Sequence, residues 1–538
     1  MQISGRTFWL GVLLLTVLLR LPTLWVEVLD TDEAGHAVHS QVLLDGGTPY
    51  VDFIDNKQPL LYATYAAIFA IAGPTLLAVH VVAIPWLVAT AWLIALLARA
   101  VWRHEWAGRT AALLFTLGSS AYLEKDVLAT NTELLMNLPL LGAAWLVLGP
   151  LVTADPTRRD PRQLSPARLL LAGALLGIAT LYNLKAGILL PVLGLLLLLQ
   201  ARWRGLGQGL VLTLGLLLPW GLTALLFWHA GALEDLIFWN FLLNFKYMDA
   251  GVPLWLIDFR RGILYGFPRL LLFLLATSVL WVAAGAALRS PPPDRPARRG
   301  VYGIGLWLAL SFVPVCMGGR LYGHYFLQLL PPLAVLAAGP LARLYGRPAR
   351  PVDGATPARR RLLPVAAAIG LLLPVLGLTA AGHVRIARGA LDGLQPQVAR
   401  VADYLRAHTC PDDRIFLWAY WSQVYYYAQR PPASRFVYPQ TLAGYVPGHP
   451  ASLDPHRDTS GYIVPEHWDQ LREDFRRHPP ELLVDAAPGK IHFWEKYPID
   501  NYPILKKIID DEYQQEQVID GVVIYRRRAG RGAPPCPP

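Results

Sequence analysis

The chain has 538 residues, of which 54% are hydrophobic and 16% charged, and its mean hydropathy is +0.36. This composition is too apolar for a soluble protein of that length and indicates a mainly α, polytopic membrane protein. The net charge of +10 does not indicate a nucleic-acid partner, because the arginines lie mainly between apolar segments, as in cytoplasmic loops. Three cysteines without metal-ligand spacing provide neither a disulfide framework nor a zinc motif.

The apolar segments predict about eleven membrane-spanning helices. Their ranges are 8–25, 76–102, 107–122, 134–152, 169–182, 187–200, 206–229, 268–288, 301–317, 325–345 and 362–382. The segment 60–73 is too short to span comfortably, so we expect an interfacial helix on the outer face. The arginine-rich loops all fall on one side, which places the N-terminus in the cytoplasm and the chain after residue 382 outside.

These segments divide the chain into three regions. The prediction is a transmembrane domain over 1–382, an extracytoplasmic α/β domain over 383–528 and a disordered Gly/Pro tail over 529–538. The middle region contains no apolar span. We expect its helices at 398–408, 466–477 and 504–513, and its strands at 414–420, 481–486 and 522–525.

The first outer loop, residues 27–75, concentrates acidic side chains beside the membrane. Asp30, Asp32 and Glu33 follow the first span, and Lys57 precedes the interfacial helix. Asp30 can cap the helix that begins there, with Glu33 completing a pair of the capping-box type. Asp32 neither caps the helix nor belongs to this pair. We therefore interpret Asp32 as a general base that accepts a proton from an attacking hydroxyl or amine.

Basic side chains on the outer turns are candidates for binding a phosphate. Lys57 either contacts lipid headgroups or binds the phosphate of a lipid-linked donor and stabilises it as a leaving group. Lys185, Arg320 and His324 lie on later outer turns and could reach the same phosphate. Each of them alone is typical of an interfacial anchor, so their common side of the membrane is what favours a shared site.

Three further polar residues near the outer face are candidates for the site, and two of them, Asn131 and Arg20, have a second interpretation. Asn131 and Glu133 could orient a substrate or a metal ion, and Asn131 could equally begin a helix. Arg20, at the outer end of the first span, is interpreted as a snorkelling residue, with a phosphate contact as the less favoured alternative.

The motifs of the first outer loop resemble those of the GT-C glycosyltransferases. They run from Asp32 and Glu33 through Gly-Thr-Pro-Tyr at 47–50 to Lys-Gln-Pro-Leu at 57–60. The resemblance is greatest to the branch of protein O-mannosyltransferases, lipid A aminoarabinose transferases and rhizobial core galacturonosyltransferases. The turn GRLYGHYF at 319–326 resembles a later outer turn of the bacterial members.

This resemblance covers residues 8–345 and implies a GT-C-like fold, a polyprenyl-phosphate sugar donor, an outer-face active site and inversion at the anomeric carbon. It implies that Asp32 is the catalytic acidic residue and that Lys57 binds the donor phosphate. We expect Glu33 to orient the acceptor or to support the base. Asn56 stands where the aminoarabinose transferases carry an acidic residue before this lysine. A metal site of that kind is therefore in doubt, and a divalent cation stays open as a cofactor.

We therefore predict a multi-pass glycosyltransferase of the cell membrane that moves a sugar from a polyprenyl-phosphate donor to a glycan, lipid or protein acceptor. One alternative is a transporter or flippase of polyprenyl lipids, and another is a scaffold that displays the C-terminal domain. Transporters usually show repeated halves and broken spans at the midplane, whereas the polar residues here gather in outer loops. A scaffold leaves the acidic first outer loop unexplained.

Overall fold

The computed structural model describes residues 4–120, 125–153, 164–243, 255–258, 263–345, 357–387 and 396–528. The first part of the chain is almost entirely helical. Its helices are α1 (Gly5–Arg20), α2 (Thr31–Leu44), α3 (Pro59–Ala72), α4 (Leu76–Trp102), α5 (Glu105–Gly118), α6 (Thr132–Thr153), α7 (Pro166–Tyr182), α8 (Leu189–Ala201), α9 (Trp203–His229), α10 (Leu233–Ile237), α11 (Phe267–Ala276), α12 (Ser278–Arg289), α13 (Arg295–Cys316), α14 (Leu330–Tyr345) and α15 (Pro357–Ala387). A short hairpin, β1 (Trp255–Asp258) and β2 (Ile263–Gly266), precedes α11.

Residues 396–528 form the C-terminal domain, in which helices surround a four-stranded sheet. The helices are α16 (Pro396–Ala407), α17 (Ser422–Ala428), α18 (Gln440–Ala443), α19 (Pro450–Leu453), α20 (Glu466–Arg477) and α21 (Pro503–Glu512). The strands are β3 (Ile415–Trp418), β4 (Leu482–Asp485), β5 (Tyr513–Ile519) and β6 (Val522–Arg527), in the order β3-β4-β6-β5. β3 and β4 are parallel and the other pairs antiparallel. The predicted fold class, a mainly α membrane protein with a C-terminal α/β domain, is confirmed.

Length and composition identify six described segments that can cross a membrane, namely Gly5–Leu24, Leu76–Trp102, Thr132–Thr153, Leu184–Ala201, Trp203–His229 and Arg295–Cys316. α11 and α12, bent by 74°, give a seventh if they count as one span. The shorter apolar helices are Pro59–Ala72, Pro166–Tyr182, Leu330–Leu344 and Ala366–Ala381. Each predicted span thus coincides largely with a described helix, while the number of crossings stays a prediction.

Large apolar side chains remain exposed along α9, as expected of a helix that faces lipid. They are Leu206, Leu210, Leu214, Leu217, Leu218, Leu222, Leu225 and Leu226.

Several described elements were not predicted from the sequence, namely the short helices α10, α17, α18 and α19, the hairpin β1–β2 and the strand β5. The hairpin β1–β2 lies in a predicted outer loop, and β5 (Tyr513–Ile519) is a largely polar edge strand that lacks the apolar alternation by which strands are recognised. The predicted tail at 529–538 lies outside the described residues.

The C-terminal domain is bonded to the start of α2. Ser422 Oγ donates to the carbonyl oxygen of Thr31 at 2.7 Å, and Gln423 Nε2 donates to Thr31 Oγ1 at 2.7 Å. The backbone N–H of Ile54 donates to the carbonyl oxygen of Arg435 at 3.1 Å. The domain therefore lies directly over the acidic first outer loop.

Apolar packing reinforces this attachment. Val38, Tyr50 and Ile54 of the first outer loop belong to the same buried core as Trp418 and Trp421 of the C-terminal domain. Burial of large aromatic and aliphatic side chains is the main favourable contribution to such an interface. The outer loop and the C-terminal domain consequently form one packed unit.

Helices α7 and α9 approach closely because glycines face each other between them. A Cβ on Gly173 would lie 2.1 Å from the carbonyl oxygen of Leu212, and a Cβ on Gly215 would lie 2.4 Å from that of Leu170. Small residues of this kind let membrane helices pack backbone to backbone, where dispersion replaces the hydrophobic effect as the driving force.

We expect Gly215→Ala to lower the stability of the protein by about 1–3 kcal/mol, because the new methyl group must push α7 and α9 apart. Gly221→Ala is the matched control, since Gly221 lies on the same helix with no atom within 4 Å of its ideal Cβ. Thermal unfolding of both variants in one detergent measures the difference. Equal melting temperatures for the two variants would contradict the tight contact.

Candidate active site

A cavity of about 560 Å³ opens between the outer loops and the C-terminal domain. Its acidic lining residues are Asp30, Asp32, Asp55, Asp126 and Glu133, and its basic ones are Lys57, Lys185, Arg320 and His324. The C-terminal domain contributes Tyr420, Tyr438, Gln440, Tyr445, Pro447, Gly448 and Phe493. Most of the predicted site residues thus meet in one place, although they come from distant parts of the sequence.

The first turn of α2 is fixed by Asp30, as the sequence predicts. Asp30 Oδ1 accepts a hydrogen bond from the backbone N–H of Glu33 at 2.7 Å and so caps the helix. Asp30 Oδ2 accepts from Asn131 Nδ2 at 3.3 Å. Burial, together with the neighbouring charges of Asp32 and Glu33, raises the pKa of Asp30 to about 7.

Glu33 does not line the cavity, and its carboxylate is fully buried. Its oxygens accept hydrogen bonds from the backbone N–H groups of Leu29 at 3.2 Å and Thr130 at 2.8 Å. His80 Nε2 lies 2.8 Å from Glu33 Oε1, and His80 Nδ1 lies 2.7 Å from the carbonyl oxygen of Thr23. Glu33 therefore holds three segments together, and the geometry gives it no contact with an acceptor in the cavity.

The proton arrangement at His80 follows from its neighbours. A carbonyl oxygen can only accept, so His80 Nδ1 must carry a hydrogen. Burial opposes ionisation of Glu33, but the charge of His80 and the backbone donors outweigh it and lower the pKa of Glu33. With Glu33 ionised, His80 Nε2 also carries a hydrogen, and the two side chains form a buried ion pair.

Asn131 and Arg20 also lie outside the cavity lining. Asn131 Nδ2 donates to Asp30 and to the carbonyl oxygen of Asp126, so Asn131 supports the helix cap and does not reach the cavity. Arg20 is fully buried, and its Nη2 donates to the carbonyl oxygen of Leu128 at 2.5 Å. The snorkelling interpretation of Arg20 is therefore wrong, because its guanidinium lies inside the protein.

Asp32 faces the cavity between a lysine and a tyrosine. Its side chain is 34% exposed, and Lys57 Nζ lies 3.5 Å from Oδ2. Tyr420 Oη donates to Oδ1 at 3.1 Å. Burial raises the pKa of Asp32, but the charges of Lys57, His36 and His324 together lower it more, so the carboxylate is ionised at neutral pH. Asp32 in turn raises the pKa of Lys57 against the opposing effect of burial.

A second group of charged side chains also lines the cavity. Lys185 Nζ lies 3.0 Å from Glu133 Oε1 and 3.2 Å from the centre of the Tyr325 ring. His324 Nδ1 lies 2.8 Å from Asp126 Oδ2, and its Nε2 lies 4.0 Å from Glu133 Oε2. Burial lowers the pKa of His324, but these two carboxylates raise it more, so the net shift is upward. These carboxylates therefore favour the charged form of His324.

Arg320 joins the later outer turn to the C-terminal domain. Its side chain is buried, and its Nε donates to the carbonyl oxygen of Pro447 at 3.1 Å. Arg320 and Pro447 both line the cavity, so all four predicted phosphate-binding residues, Lys57, Lys185, Arg320 and His324, belong to the lining of one cavity.

The sequence analysis missed several residues of the site, above all Tyr420, Tyr438, His80 and Asp126. Tyr420 and Tyr438 belong to the region predicted as an extracytoplasmic domain, and Tyr420 is the last residue of the strand predicted at 414–420. His80 lies within an apolar span, where a lone histidine is a signal of function or pairing. Among the described residues, no group of three or more His, Cys, Asp or Glu side chains has the arrangement of a metal site.

The whole chain is similar in fold to solved GT-C glycosyltransferases. ArnT from Cupriavidus metallidurans, in a crystal structure bound to undecaprenyl phosphate, has a TM-score of 0.61 and 16% identity over 98% of both chains. The archaeal oligosaccharyltransferase AglB from Archaeoglobus fulgidus, in complex with an inhibitory peptide and a dolichol-phosphate, has a TM-score of 0.55 and 13% identity over 97% of this chain and 74% of AglB. No protein-family model and no curated protein matches the sequence. The predicted GT-C fold is confirmed.

We expect Glu33→Gln to destabilise the protein by about 3 kcal/mol, because it leaves the buried His80 charge without its partner. Glu473→Gln is the matched control, since Glu473 forms an exposed ion pair with Arg477 and should contribute less than about 1 kcal/mol. Thermal unfolding in one detergent compares the two. A Glu33→Gln variant as stable as the control would contradict the buried pair.

Proposed function

We propose that this chain is an integral-membrane glycosyltransferase that moves a sugar from a polyprenyl-phosphate donor to an acceptor on the outer face of the cell membrane. The observation that carries the proposal is the pair of Asp32 and Lys57, 3.5 Å apart in the wall of the cavity of a GT-C fold. The lipid phosphates named in the complexes of ArnT and AglB support a donor of that class. The N-terminus would be cytoplasmic and the C-terminal domain extracytoplasmic.

The donor phosphate would bind among the cations of the cavity. Lys57, Lys185 and His324 each lie beside a carboxylate, at 3.5, 3.0 and 2.8 Å. A phosphate oxygen of the donor can share the charge of these basic side chains. Arg320 also lines the cavity and would add a long-range attraction.

Asp32 would take the proton of the acceptor hydroxyl as the acceptor oxygen bonds to the anomeric carbon. The bond from that carbon to the phosphate oxygen breaks, and the polyprenyl phosphate leaves beside Lys57. Donor binding also prepares the base. A phosphate next to Lys57 offsets the positive charge that lowers the pKa of Asp32, so the carboxylate becomes more basic once the donor is bound.

Asp30 is the second candidate for the base, because its pKa near 7 suits proton transfer at neutral pH. Geometry favours Asp32. Both oxygens of Asp30 already accept hydrogen bonds from the protein, one from the backbone of α2 and one from Asn131. The contacts of Asp32 come instead from two residues of the cavity lining, Lys57 and Tyr420, so its carboxylate lies beside the proposed phosphate site.

The acceptor would enter against the C-terminal domain. The side chains that this domain contributes to the cavity are uncharged, namely Tyr420, Tyr438, Gln440, Tyr445, Pro447 and Phe493. The charged groups of the wall come from the outer loops of the membrane part. This division gives the donor phosphate a charged side and the acceptor a neutral, aromatic side.

We expect Asp32→Asn to lower turnover by about 10²-fold or more with little change in melting temperature, because an amide cannot accept the proton. Asp30→Asn should retain most activity, since asparagine caps a helix about as well as aspartate. Both variants are assayed with undecaprenyl-phosphate-linked sugars from membrane extracts, with the cell's lipid and glycan extract as acceptor. Loss of activity in Asp30→Asn alone would make Asp30 the base. Lipid movement between leaflets without sugar transfer would indicate a flippase.

We expect Lys57→Met to weaken the binding of undecaprenyl phosphate by about tenfold or more, because it removes a charged hydrogen-bond donor to the phosphate. Lys506→Met is the control, since Lys506 is half-exposed on α21 with partners Asp500 and Asp510 outside the cavity. Native mass spectrometry or a thermal shift with undecaprenyl phosphate measures the affinity. Unchanged affinity in Lys57→Met would reduce Lys57 to a headgroup contact.

A further inference from the structure

The C-terminal domain touches the proposed base directly. Tyr420 lies two residues beyond the end of β3, and its hydroxyl donates to Asp32 Oδ1 at 3.1 Å. The two residues are 388 positions apart in the sequence. A contact between such distant segments exists only because the domain is seated on the start of α2.

The ring of Tyr420 is held by two neighbouring tyrosines. The Tyr438 ring stacks on it with centres 4.7 Å apart, and the Tyr445 ring lies 5.2 Å away at an angle of 43°. Both neighbours are buried. A side chain confined in this way has little rotational freedom, so its hydroxyl is directed at one place.

This aromatic group is itself fixed to α2. Tyr438 Oη donates to the carbonyl oxygen of Thr31 at 2.8 Å and contacts Ser422 Oγ at 3.1 Å. Gly35, one turn along α2, provides the space, since a Cβ there would lie 1.8 Å from Tyr438 Oη. The group that positions Tyr420 is therefore bonded to the same helix turn that carries Asp32.

Two contacts orient the Asp32 carboxylate, one on each oxygen. Lys57 lies beside Oδ2 and Tyr420 donates to Oδ1. When a donor phosphate shares the charge of Lys57, the contact on Oδ2 weakens. The hydrogen bond from Tyr420 then remains to keep the carboxylate facing the acceptor.

We infer that Tyr420 is a positioning residue for sugar transfer, whose hydroxyl holds Asp32 in the orientation that accepts the acceptor proton. The inference rests on the proposed function and adds a residue of the C-terminal domain to the transfer step. Tyr420 acts through Asp32, so its loss should affect turnover and leave donor binding intact. Misplacing a reacting group by about 1 Å costs about 10²-fold in rate, which sets the scale of the effect.

The test is Tyr420→Phe, which keeps the ring and removes the hydroxyl. We expect kcat to fall by about tenfold or more, with unchanged KM for undecaprenyl-phosphate-linked sugar and unchanged affinity for undecaprenyl phosphate. Tyr404→Phe is the matched control, because Tyr404 also donates to a carboxylate, Glu516 at 2.6 Å, within the same domain and outside the cavity. Melting temperatures of both variants separate a loss of folding from a loss of turnover.

The double variant shows whether Tyr420 acts through Asp32. Adding Tyr420→Phe to Asp32→Asn should lower the residual rate by less than about twofold, because the carboxylate that the hydroxyl positions is already gone. A full additional loss in that background overturns the inference, as does a Tyr420→Phe variant that behaves like Tyr404→Phe. Absence of transfer by the unaltered protein in the same assay instead contradicts the proposed function, and the inference fails with it.

Discussion

A single buried carboxylate, that of Glu33, organises the outer end of this protein. An ionised group without access to water must be fully compensated, and Glu33 obtains compensation from His80 on α4, from the backbone at Thr130 and from the backbone at Leu29. These partners belong to three separate segments. Their convergence fixes the first turn of α2, so Asp30 and Asp32 on that turn face the cavity in defined directions.

The sequence predicts the features that depend on local pattern and composition. The apolar segments locate the helices, and the charges of the first outer loop identify Asp32 and Lys57, which meet in the structure. Pairing between distant segments could not be predicted. Glu33 is an acidic side chain beside Asp32 in sequence, and only its contact with His80, inside an apolar helix, shows that it supports the fold away from the cavity.

The C-terminal domain shows the same limit of prediction from the sequence. Its longer helices and the strands β3, β4 and β6 follow from alternation and spacing, whereas β5 and the short helices α17, α18 and α19 do not. The seating of the domain on Thr31 depends on side chains from loops and short helices. The motifs that resemble those of the GT-C glycosyltransferases lie in the outer loops and do not include the residues of this contact. The contact of Tyr420 with Asp32 could therefore not be predicted before the packing of the C-terminal domain on the membrane part was known.

The attachment of the C-terminal domain at Thr31 also bears on how the protein would prevent water from hydrolysing a bound donor. A glycosyl donor held beside an active base is at risk of hydrolysis whenever the site is open. If the proposed function holds, a movement of the C-terminal domain away from α2 would break the bonds at Thr31 and withdraw Tyr420 from Asp32. Opening of the cavity and loss of the Asp32 alignment would thus occur together, so an open cavity would not be catalytically active.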